Sequence, residues 1–407
     1  MSSLPRSEPA EVGLNGAQLQ RLDDRLGRYV AAGQLAGGAI LIARRGFIAH
    51  QGLVGMMDVA RGTALREDTV FRIYSMTKPV TSVVAMQLFE EGRLQLDDRL
   101  DKYIPAFAKT GVYAGGTLGS FETAPPARPI TLRDLLTHTS GLTYWIQERS
   151  PVDAAYRSLK LAATDVPLAD WVEKVAALPL EFSPGAAWNY SVAIDVLGRV
   201  IEVITGQPLD DVFRARIFEP LGMDDTDFYV PPEKADRLAA CYQRTQEVPL
   251  ALQDDPVHSP YLAKPALFSG GGGLVSTLHD YARFAQMLCN GGHLGGTRIL
   301  GRKTLELMAR NHLPGGKDLN ELSISLFSET TMSGIGFGLG FAVTLDPARA
   351  QLPGTPGEFF WGGAASTYFF VDPAEELIAV FMTQLLPSSA LNLRREMRAL
   401  IYAALDD

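Results

Sequence analysis

The sequence predicts an α+β fold in which an antiparallel sheet is built from both ends of the chain. Strand-like segments occur near the N-terminus, at residues 37–55, and near the C-terminus, at residues 338–384, while helical spacing dominates between them. The chain has 407 residues, and at roughly 150 residues per domain about two or three domains are expected. We therefore expect a discontinuous sheet domain (residues 1–80 and 270–407), a mainly helical domain (residues 81–269) and an active site in the cleft between them.

The N-terminal elements follow from hydrophobic spacing and from turn residues. Residues 17–32 carry an apolar stripe with helical spacing, and residues 37–55 form two strand-like runs joined by a tight turn at Arg44–Gly46. A short strand over Val70–Ile73 is followed by a helical pattern over Met76–Glu91, which ends before a glycine suited to a helix C-cap. The sequence therefore predicts a strand-to-helix junction directly after this short strand.

The centre of the sequence is predicted to be loop and helix, and the C-terminal part returns to strands. Residues 105–130 are rich in Gly, Pro, Thr and Ala and are expected to form a loop, whereas Thr131, with Asp134 three residues later, is typical of a helix capping box. Further helices are predicted over Leu168–Ala177, Ser191–Thr205, Leu209–Ile217, Ser276–Cys289, Arg302–Arg310 and residues 390–405. Further strands are predicted over Gly338–Leu345, Ser366–Asp372 and Leu377–Gln384, the last two as a hairpin.

Composition excludes several classes of protein. Lys and Arg number 37 and Asp and Glu 46, so the net charge is −9, and neither sign forms a block. A nucleic-acid partner is therefore not expected, because phosphate binding requires a basic surface. No run of about 18 apolar residues is present, so no membrane span is predicted. The N-terminus lacks the pattern of a secretory signal, and a cytoplasmic location is expected.

Metal and cofactor chemistry have no support in the sequence. Cys241 and Cys289 are the two cysteines and form no C-x-x-C pair. The six histidines are scattered, and no H-E-x-x-H segment occurs. We therefore expect reduced thiols, no metal site and no cofactor.

Ser75 and Lys78 form the single S-x-x-K segment of the chain, at the predicted strand-to-helix junction. Residues three apart on a helix lie on one face. A serine hydroxyl needs a neighbouring base to act as a nucleophile, and burial favours the neutral lysine amine that can be this base. The helix N-terminus adds free backbone N–H groups that can hold an oxyanion. A capping serine beside a surface lysine would give the same tetrapeptide.

Other nucleophile and phosphate motifs are missing. The sequence has no G-x-S-x-G and no G-x-x-x-x-G-K-[ST]. The glycine-rich segment SGGGGL at residues 269–274 lacks the following Lys and Ser/Thr of a phosphate loop. We interpret it as a sharp turn that exposes backbone groups before a helix.

Five segments, in order along the chain, resemble the serine β-lactamase and penicillin-binding-protein group. They lie at residues 71–98, 130–142, 182–206, 218–228 and 269–292. The resemblance extends over most of the chain and implies a β-lactamase-like fold in which S-x-x-K is the first of three motifs.

The resemblance assigns the second motif to Tyr190-Ser191-Val192, where related enzymes have Tyr-x-Asn. Tyr190 would then share the proton of Ser75 with Lys78 and pass it to the leaving group, because a phenol beside an ammonium is easier to ionise. A buried core tyrosine is the alternative. Val192 is predicted to contact substrate, although valine cannot hydrogen-bond a substrate amide as asparagine would.

Trp361-Gly362-Gly363 stands where the resemblance places a Lys-Thr-Gly motif, and the three residues are predicted to bind substrate. Loss of the motif's cation argues against an anionic substrate, and the indole favours an apolar or aromatic acyl ester. An ordinary aromatic residue at a strand end is the alternative. The glycines would let substrate approach closely. The resemblance implies an oxyanion hole made by the backbone N–H groups of Ser75 and Ala364.

This combination of motifs is similar to that of the family VIII carboxylesterases. It implies a serine hydrolase that cleaves esters of small to medium acyl chain through an acyl-enzyme, with Ser75, Lys78 and Tyr190 as catalytic residues and a small-molecule ester as partner. Tyr144 is predicted to line the pocket, with a position at the surface or in the core as the alternative, and His138 is expected to belong to a structural turn. A β-lactamase, D-amino-acid peptidase or acyltransferase of the same fold, and a catalytically silent scaffold, are the alternatives; weak β-lactam hydrolysis is expected as a side activity.

Overall fold

The chain folds around a large antiparallel sheet with helices on both of its faces. The computed structural model describes residues 4–163, 165–324 and 332–407. Its strands are β1 (Gly37–Arg44), β2 (Phe47–Asp58), β3 (Thr63–Ala64), β4 (Phe71–Arg72), β5 (Val112–Thr117), β6 (Ser120–Ala124), β7 (Cys241–Gln243), β8 (Ala251–Asp254), β9 (Val275–Ser276), β10 (His293–Leu294), β11 (Thr297–Arg298), β12 (Ile335–Phe337), β13 (Ala342–Thr344), β14 (Phe359–Gly362), β15 (Tyr368–Asp372), β16 (Leu377–Met382) and β17 (Leu385–Leu386).

The helices lie before, between and after these strands. The α-helices are α1 (Gly16–Ala31), α2 (Thr77–Glu90), α3 (Leu132–Leu136), α4 (Pro151–Ser158), α5 (Leu168–Ala176), α6 (Ala193–Thr205), α7 (Leu209–Phe213), α8 (Glu219–Leu221), α9 (Leu278–Cys289), α10 (Arg302–Met308), α11 (Leu319–Leu322), α12 (Pro347–Ala350) and α13 (Leu393–Tyr402). Short 3₁₀ helices occur at Pro9–Val12, Tyr74–Met76, Leu100–Lys102, Pro105–Lys109, Pro232–Arg237, Pro260–Leu262, Pro314–Gly316 and Ser388–Ala390.

The main sheet has eight strands in the order β12-β13-β14-β15-β16-β1-β2-β3. Its centre joins the two ends of the chain, because β1 pairs antiparallel with β16, with Ala39 opposite Met382 and Arg44 opposite Leu377. The predicted hairpin at the C-terminus is present as β15 and β16. The α+β fold class is therefore confirmed, including the sheet built from both termini.

Strand β1 is buried along its whole length and separates two apolar layers. Ile40 and Ile42 belong to the core formed with α1 and α13, whereas Leu41 and Ala43 belong to the larger core that includes α2 and α9. Side chains alternate between the faces of a strand, so a strand covered on both sides needs a nearly continuous apolar run. This explains the composition of residues 37–44.

The expected loop over residues 105–130 is wrong, since β5 and β6 form a hairpin there in which Thr117 pairs with Ser120. Gly116 has a φ of 91°, and a Cβ at this position would lie 2.2 Å from the Ser120 carbonyl oxygen. The glycines that predicted a loop are thus required by the close approach of two strands.

Two further predictions differ from the structure in detail. The strand predicted over Gly338–Leu345 is shorter, because residues 338–341 turn between β12 and β13 and Gly340 has a φ of 104°. The helix predicted over Leu209–Ile217 ends its α-helical part at Phe213 and continues as a π-helical turn, Arg214–Phe218. The other predicted helices are present with shifts of a few residues at their ends.

The predicted division into two domains stays a prediction. The boundary after residue 80 falls inside α2, which continues to Glu90, and the region expected to be mainly helical also contains β5 to β8. Within the described ranges, no helix combines the length and the apolar character needed to cross a bilayer.

Candidate active site

Ser75 lies where a short strand meets the N-terminus of α2. Strand β4 pairs with β9, and the 3₁₀ turn Tyr74–Met76 follows it. Tyr74 has a φ of 43°, a left-handed conformation that costs a non-glycine residue about 1–3 kcal/mol and is common beside functional groups. The Met76 carbonyl accepts a hydrogen bond from Tyr281 Oη of α9 at 2.9 Å. The turn that carries Ser75 is therefore fixed by tertiary contacts.

The Lys78 side chain is fully buried and reaches back to Ser75. Its Nζ lies 3.3 Å from Ser75 Oγ, 3.0 Å from Tyr144 Oη and 2.6 Å from the Gly271 carbonyl oxygen. All three contacts are with uncharged oxygens. An ammonium can donate to all three, whereas a neutral amine would donate to Tyr144 and Gly271 and accept from the Ser75 hydroxyl. The second arrangement is that of a general base.

Tyr144 is 7% exposed, and its phenol contacts Lys78 Nζ directly. Burial, and secondarily the Asp195 carboxylate, raise the pKa of Tyr144 well above its usual value. Tyr144 therefore keeps its proton at neutral pH and offers a lone pair to Lys78. The sequence predicted Tyr144 as a pocket residue but contained no signal for its contact with Lys78.

Tyr190 lies against the same lysine through its ring. Lys78 Nζ is 4.6 Å from the Tyr190 ring centroid, and Trp361 Nε1 donates a hydrogen bond to Tyr190 Oη at 3.4 Å. In the described part of the chain no hydrogen bond joins Tyr190 Oη to Ser75 or Lys78. The Ser75 hydroxyl and the Tyr190 ring thus both contact the Lys78 amine, and the Tyr190 hydroxyl is hydrogen-bonded to the Trp361 indole.

His138 supports the Tyr190 ring. Its ring centroid is 4.9 Å from that of Tyr190, and its Nδ1 lies 3.1 Å from Ser191 Oγ. Burial, and secondarily the positive charge of Lys78, hold the pKa of His138 well below its usual value. The imidazole is therefore uncharged.

The Trp361-Gly362-Gly363 segment forms the end of β14 and the turn that follows it. A Cβ at Gly363 would lie 2.2 Å from Thr367 Oγ1 and 2.4 Å from the Ile73 carbonyl oxygen. Only glycine therefore lets this sheet edge approach the chain just before Ser75. Ala364 follows the segment and lines the same cavity as Ser75.

This combination of fold, S-x-x-K junction and sheet edge agrees with what comparison with known proteins finds. Residues 22–404 match the Beta-lactamase family. The chain belongs to the beta-lactamase family.

Relatives of this beta-lactamase-family chain cover nearly its whole length. Protein Rv1367c of Mycobacterium tuberculosis is 36% identical over 367 residues, which are 89% of this chain and 88% of that protein. Esterase EstB of Burkholderia gladioli is 32% identical over 395 residues, 92% and 93% of the two chains. The solved structure of EstCE1, described as a hydrolase with promiscuous acyltransferase activity, matches with a TM-score of 0.78 at 27% identity, covering 96% of this chain and 99% of that one. The family and its esterase relatives support a serine hydrolase.

The site of this family member opens into a cavity of about 970 Å³. All four tryptophans of the chain line it: Trp145, Trp171, Trp188 and Trp361. A cavity of this size with four indoles in its wall suits a ligand with a large apolar part.

Val192 is not among the residues that line this cavity. Its side chain is fully buried, and its backbone N–H donates to the Thr143 carbonyl at 3.2 Å just before α6. The Val192 side chain therefore lies outside the cavity, in contrast to its predicted contact with substrate.

Three arginines that sequence reasoning missed line the cavity from α13: Arg394, Arg395 and Arg398. Arg394 Nη2 donates to the Gly363 carbonyl at 2.7 Å and so holds the turn after Trp361, and Arg395 donates to the Gln351 carbonyl at 3.1 Å. The loss of the motif lysine therefore does not leave the cavity without positive charge. No signal in the sequence connected residues 394–395 with the motif near residue 361.

Sequence reasoning also missed the partners of Lys78 in the glycine-rich turn. Gly271 accepts from Lys78, and Asp195 accepts from Ser269 and from the Gly271 N–H. The run SGGGGL was the available signal, since it predicted an exposed backbone turn. Across residues 4–163, 165–324 and 332–407, no group of acidic, histidine or cysteine side chains is arranged to hold a metal ion.

Proposed function

We propose that this chain is a carboxylesterase that cleaves esters of small to medium acyl chain through an acyl-enzyme on Ser75. The observation that carries the proposal is the 3.3 Å contact between Lys78 Nζ and Ser75 Oγ, made by a buried amine whose other partners, Tyr144 and Gly271, are uncharged. Such an amine can lose its proton and then accept that of Ser75.

The reaction has two steps: the acyl group is transferred first from the alcohol to Ser75 and then from Ser75 to water. Ser75 Oγ attacks the ester carbonyl while Lys78, assisted by Tyr190, takes the hydroxyl proton, and the backbone N–H groups of Ser75 and Ala364 receive the oxyanion. As the intermediate collapses, the C–O bond to the alcohol breaks and Tyr190 protonates the leaving alkoxide, after which Lys78 passes the proton taken from Ser75 to the Tyr190 phenolate. Water then attacks the acyl-enzyme with the same groups as base and acid, releasing the carboxylic acid and free Ser75.

The cavity and the third motif support an ester as substrate. An indole at Trp361 replaces a motif cation, and four tryptophans face the same space, so apolar contact dominates over polar recognition. An alkoxide is also a better leaving group than an amide nitrogen. The relative named Esterase EstB, at 32% identity, and the resemblance of the motifs to family VIII carboxylesterases support the same substrate class.

The cavity-lining guanidinium of Arg395 favours a second candidate function. A cation in the wall suits the carboxylate of a β-lactam or of a peptide C-terminus. We therefore propose β-lactam hydrolysis as a weaker side activity, with peptidase and acyl-transfer activities as further candidates.

The decisive test is Ser75→Ala assayed with p-nitrophenyl butyrate. We expect kcat/KM to fall by at least about 10³-fold, since the nucleophile is lost. Retention of activity within about tenfold contradicts the assignment. Rates with nitrocefin, a D-Ala-D-Ala peptide and an added alcohol acceptor, measured beside an acyl-chain series, separate the esterase from its alternatives. A folded wild-type protein that a fluorophosphonate fails to label would instead support the silent scaffold.

A further inference from the structure

The carboxylate of Asp195 is connected to Lys78, the proposed base, through hydrogen bonds made by a single residue, Gly271. Asp195 is in the first turn of α6, is 4% exposed and lines the same cavity as Ser75. Its Oδ1 accepts from Ser269 Oγ at 2.5 Å and from the Gly271 N–H at 3.0 Å. The Gly271 carbonyl in turn accepts from Lys78 Nζ at 2.6 Å. A continuous series of contacts therefore joins this carboxylate to the nucleophile.

The glycines of residues 269–274 make this arrangement possible. A Cβ at Gly271 would lie 2.2 Å from Asp195 Oδ2, and a Cβ at Gly270 would lie 3.0 Å from the Ile194 carbonyl oxygen. The turn therefore sits against the start of α6 at a distance that a side chain would prevent. The SGGGGL run presents one carbonyl to Lys78 and one N–H to Asp195.

Charge gives the carboxylate a second role. Tyr144 and Tyr190 contact Lys78 directly, and His138 and Asp195 lie close enough for its charge to affect them; Asp195 is the carboxylate of these four. Burial raises the pKa of Asp195, while the positive charge of Lys78 and hydrogen bonds from Ser269 and Gly271 oppose that rise. Because the attraction is mutual, an ionised Asp195 favours the protonated form of Lys78.

We propose that Asp195 is a positioning residue for the general base, fixing the turn that holds Lys78 and supplying the negative charge that offsets the ammonium formed when Ser75 gives up its proton. The inference rests on the proposed function of Ser75 and Lys78. It involves no additional chemical step, since the proton still moves from Ser75 Oγ to Lys78 Nζ.

The variant Asp195→Asn removes the negative charge of this side chain while keeping nearly the same shape. Asparagine Oδ1 can still accept from Ser269 and Gly271, but the negative charge is gone. Because the ammonium form of Lys78 then loses its counter-charge, the amine becomes free at lower pH and is a weaker base. For p-nitrophenyl butyrate we expect the acid limb of the kcat/KM profile to move down by about one pH unit and the plateau to fall about tenfold, with KM little changed. A profile that superimposes on that of the wild type overturns the inference.

Two further variants keep the test independent of folding defects. Ser269→Ala loosens the turn but leaves the charge, so we expect kcat to fall about threefold to tenfold, the loss of one hydrogen bond, with the acid limb in its wild-type position. An unchanged kcat overturns the positioning role even if Asp195→Asn does not fold. Asp210→Asn is the matched control, because Asp210 is a buried carboxylate paired with Lys264 at 2.7 Å on α7, and its profile should match the wild type. An Asp210→Asn limb shifted like that of Asp195→Asn also overturns the inference.

The outcomes separate this inference from the proposed function. If Ser75→Ala retains activity, the proposed function fails and the inference fails with it. If Ser75→Ala is inactive while Asp195→Asn keeps the wild-type profile, only the inference about Asp195 fails.

Discussion

Two fully buried basic side chains lie six residues apart, and their partners give them opposite properties. Arg72 and Lys78 both have 0% exposure. Arg72 Nε donates to the Asp254 carboxylate at 2.6 Å, and its other nitrogens donate to Ser259 Oγ at 3.0 Å and to the Ala239 carbonyl at 2.5 Å. Arginine is effectively always protonated, so this guanidinium carries a permanent and paired charge.

Lys78 has the same burial but no carboxylate in direct contact. Its partners are two hydroxyls and a carbonyl, from Ser75, Tyr144 and Gly271. Uncharged partners let an amine exist in either protonation state, whereas a directly bonded carboxylate would hold it as an ammonium. Burial alone therefore does not make a basic side chain a general base. The chemical type of the contacting atoms decides whether that side chain can release and accept a proton.

The largest expected effect comes from giving position 78 the permanent charge of position 72. Lys78→Arg places a permanent positive charge at this position and cannot accept a proton, because a guanidinium stays protonated. We expect kcat/KM with p-nitrophenyl butyrate to fall by at least about 10³-fold, comparable to Ser75→Ala. Lys78→Met, which fits a buried site without charge, is the control for packing and should be equally inactive. Activity within tenfold of wild type in either folded variant would mean that another group takes the proton.

The next effect is on stability rather than on rate. Arg72→Met leaves the Asp254 carboxylate without its buried partner, and we expect a loss of about 3–5 kcal/mol in the free energy of unfolding. Urea denaturation followed by circular dichroism measures it. Arg66→Met is the matched control, since Arg66 is 41% exposed and pairs with Asp68 at the surface, where an ion pair contributes about 1 kcal/mol or less. Equal losses of unfolding free energy in the two variants would show that the buried ion pair of Arg72 contributes no more to stability than a surface pair.

The smallest expected effect tests the phenol that contacts Lys78. Tyr144→Phe keeps the ring but removes the oxygen 3.0 Å from Nζ. The amine loses one of its three partners, so we expect kcat to fall about tenfold, or about 1.4 kcal/mol, with KM nearly unchanged. Tyr190→Phe is the comparison, with a larger expected loss because it removes the proposed acid for the leaving group. Steady-state kinetics of both variants shows which phenol contributes more to kcat. A larger fall in kcat for Tyr144→Phe would indicate that Tyr144, and not Tyr190, is the acid.

Much of the fold and part of the site could be predicted from the sequence because the signals were local. Alternation and helical spacing predicted the strands at both termini and the helix that begins after Ser75. A spacing of three residues on that helix was enough to put Ser75 and Lys78 on one face. The failures were also local in origin, since the glycines of residues 112–124 indicate a loop as readily as a tight hairpin.

The sequence by itself determined the α+β class, the family resemblance and the pairing of Ser75, the proposed nucleophile, with a neighbouring amine. Only the tertiary structure decided what surrounds that amine, because Tyr144 and Gly271 reach it from 66 and 193 residues away along the chain. Such contacts have no period or spacing in the sequence; they arise when separate segments pack, and the resulting burial and neighbouring charges set how readily each group holds its proton.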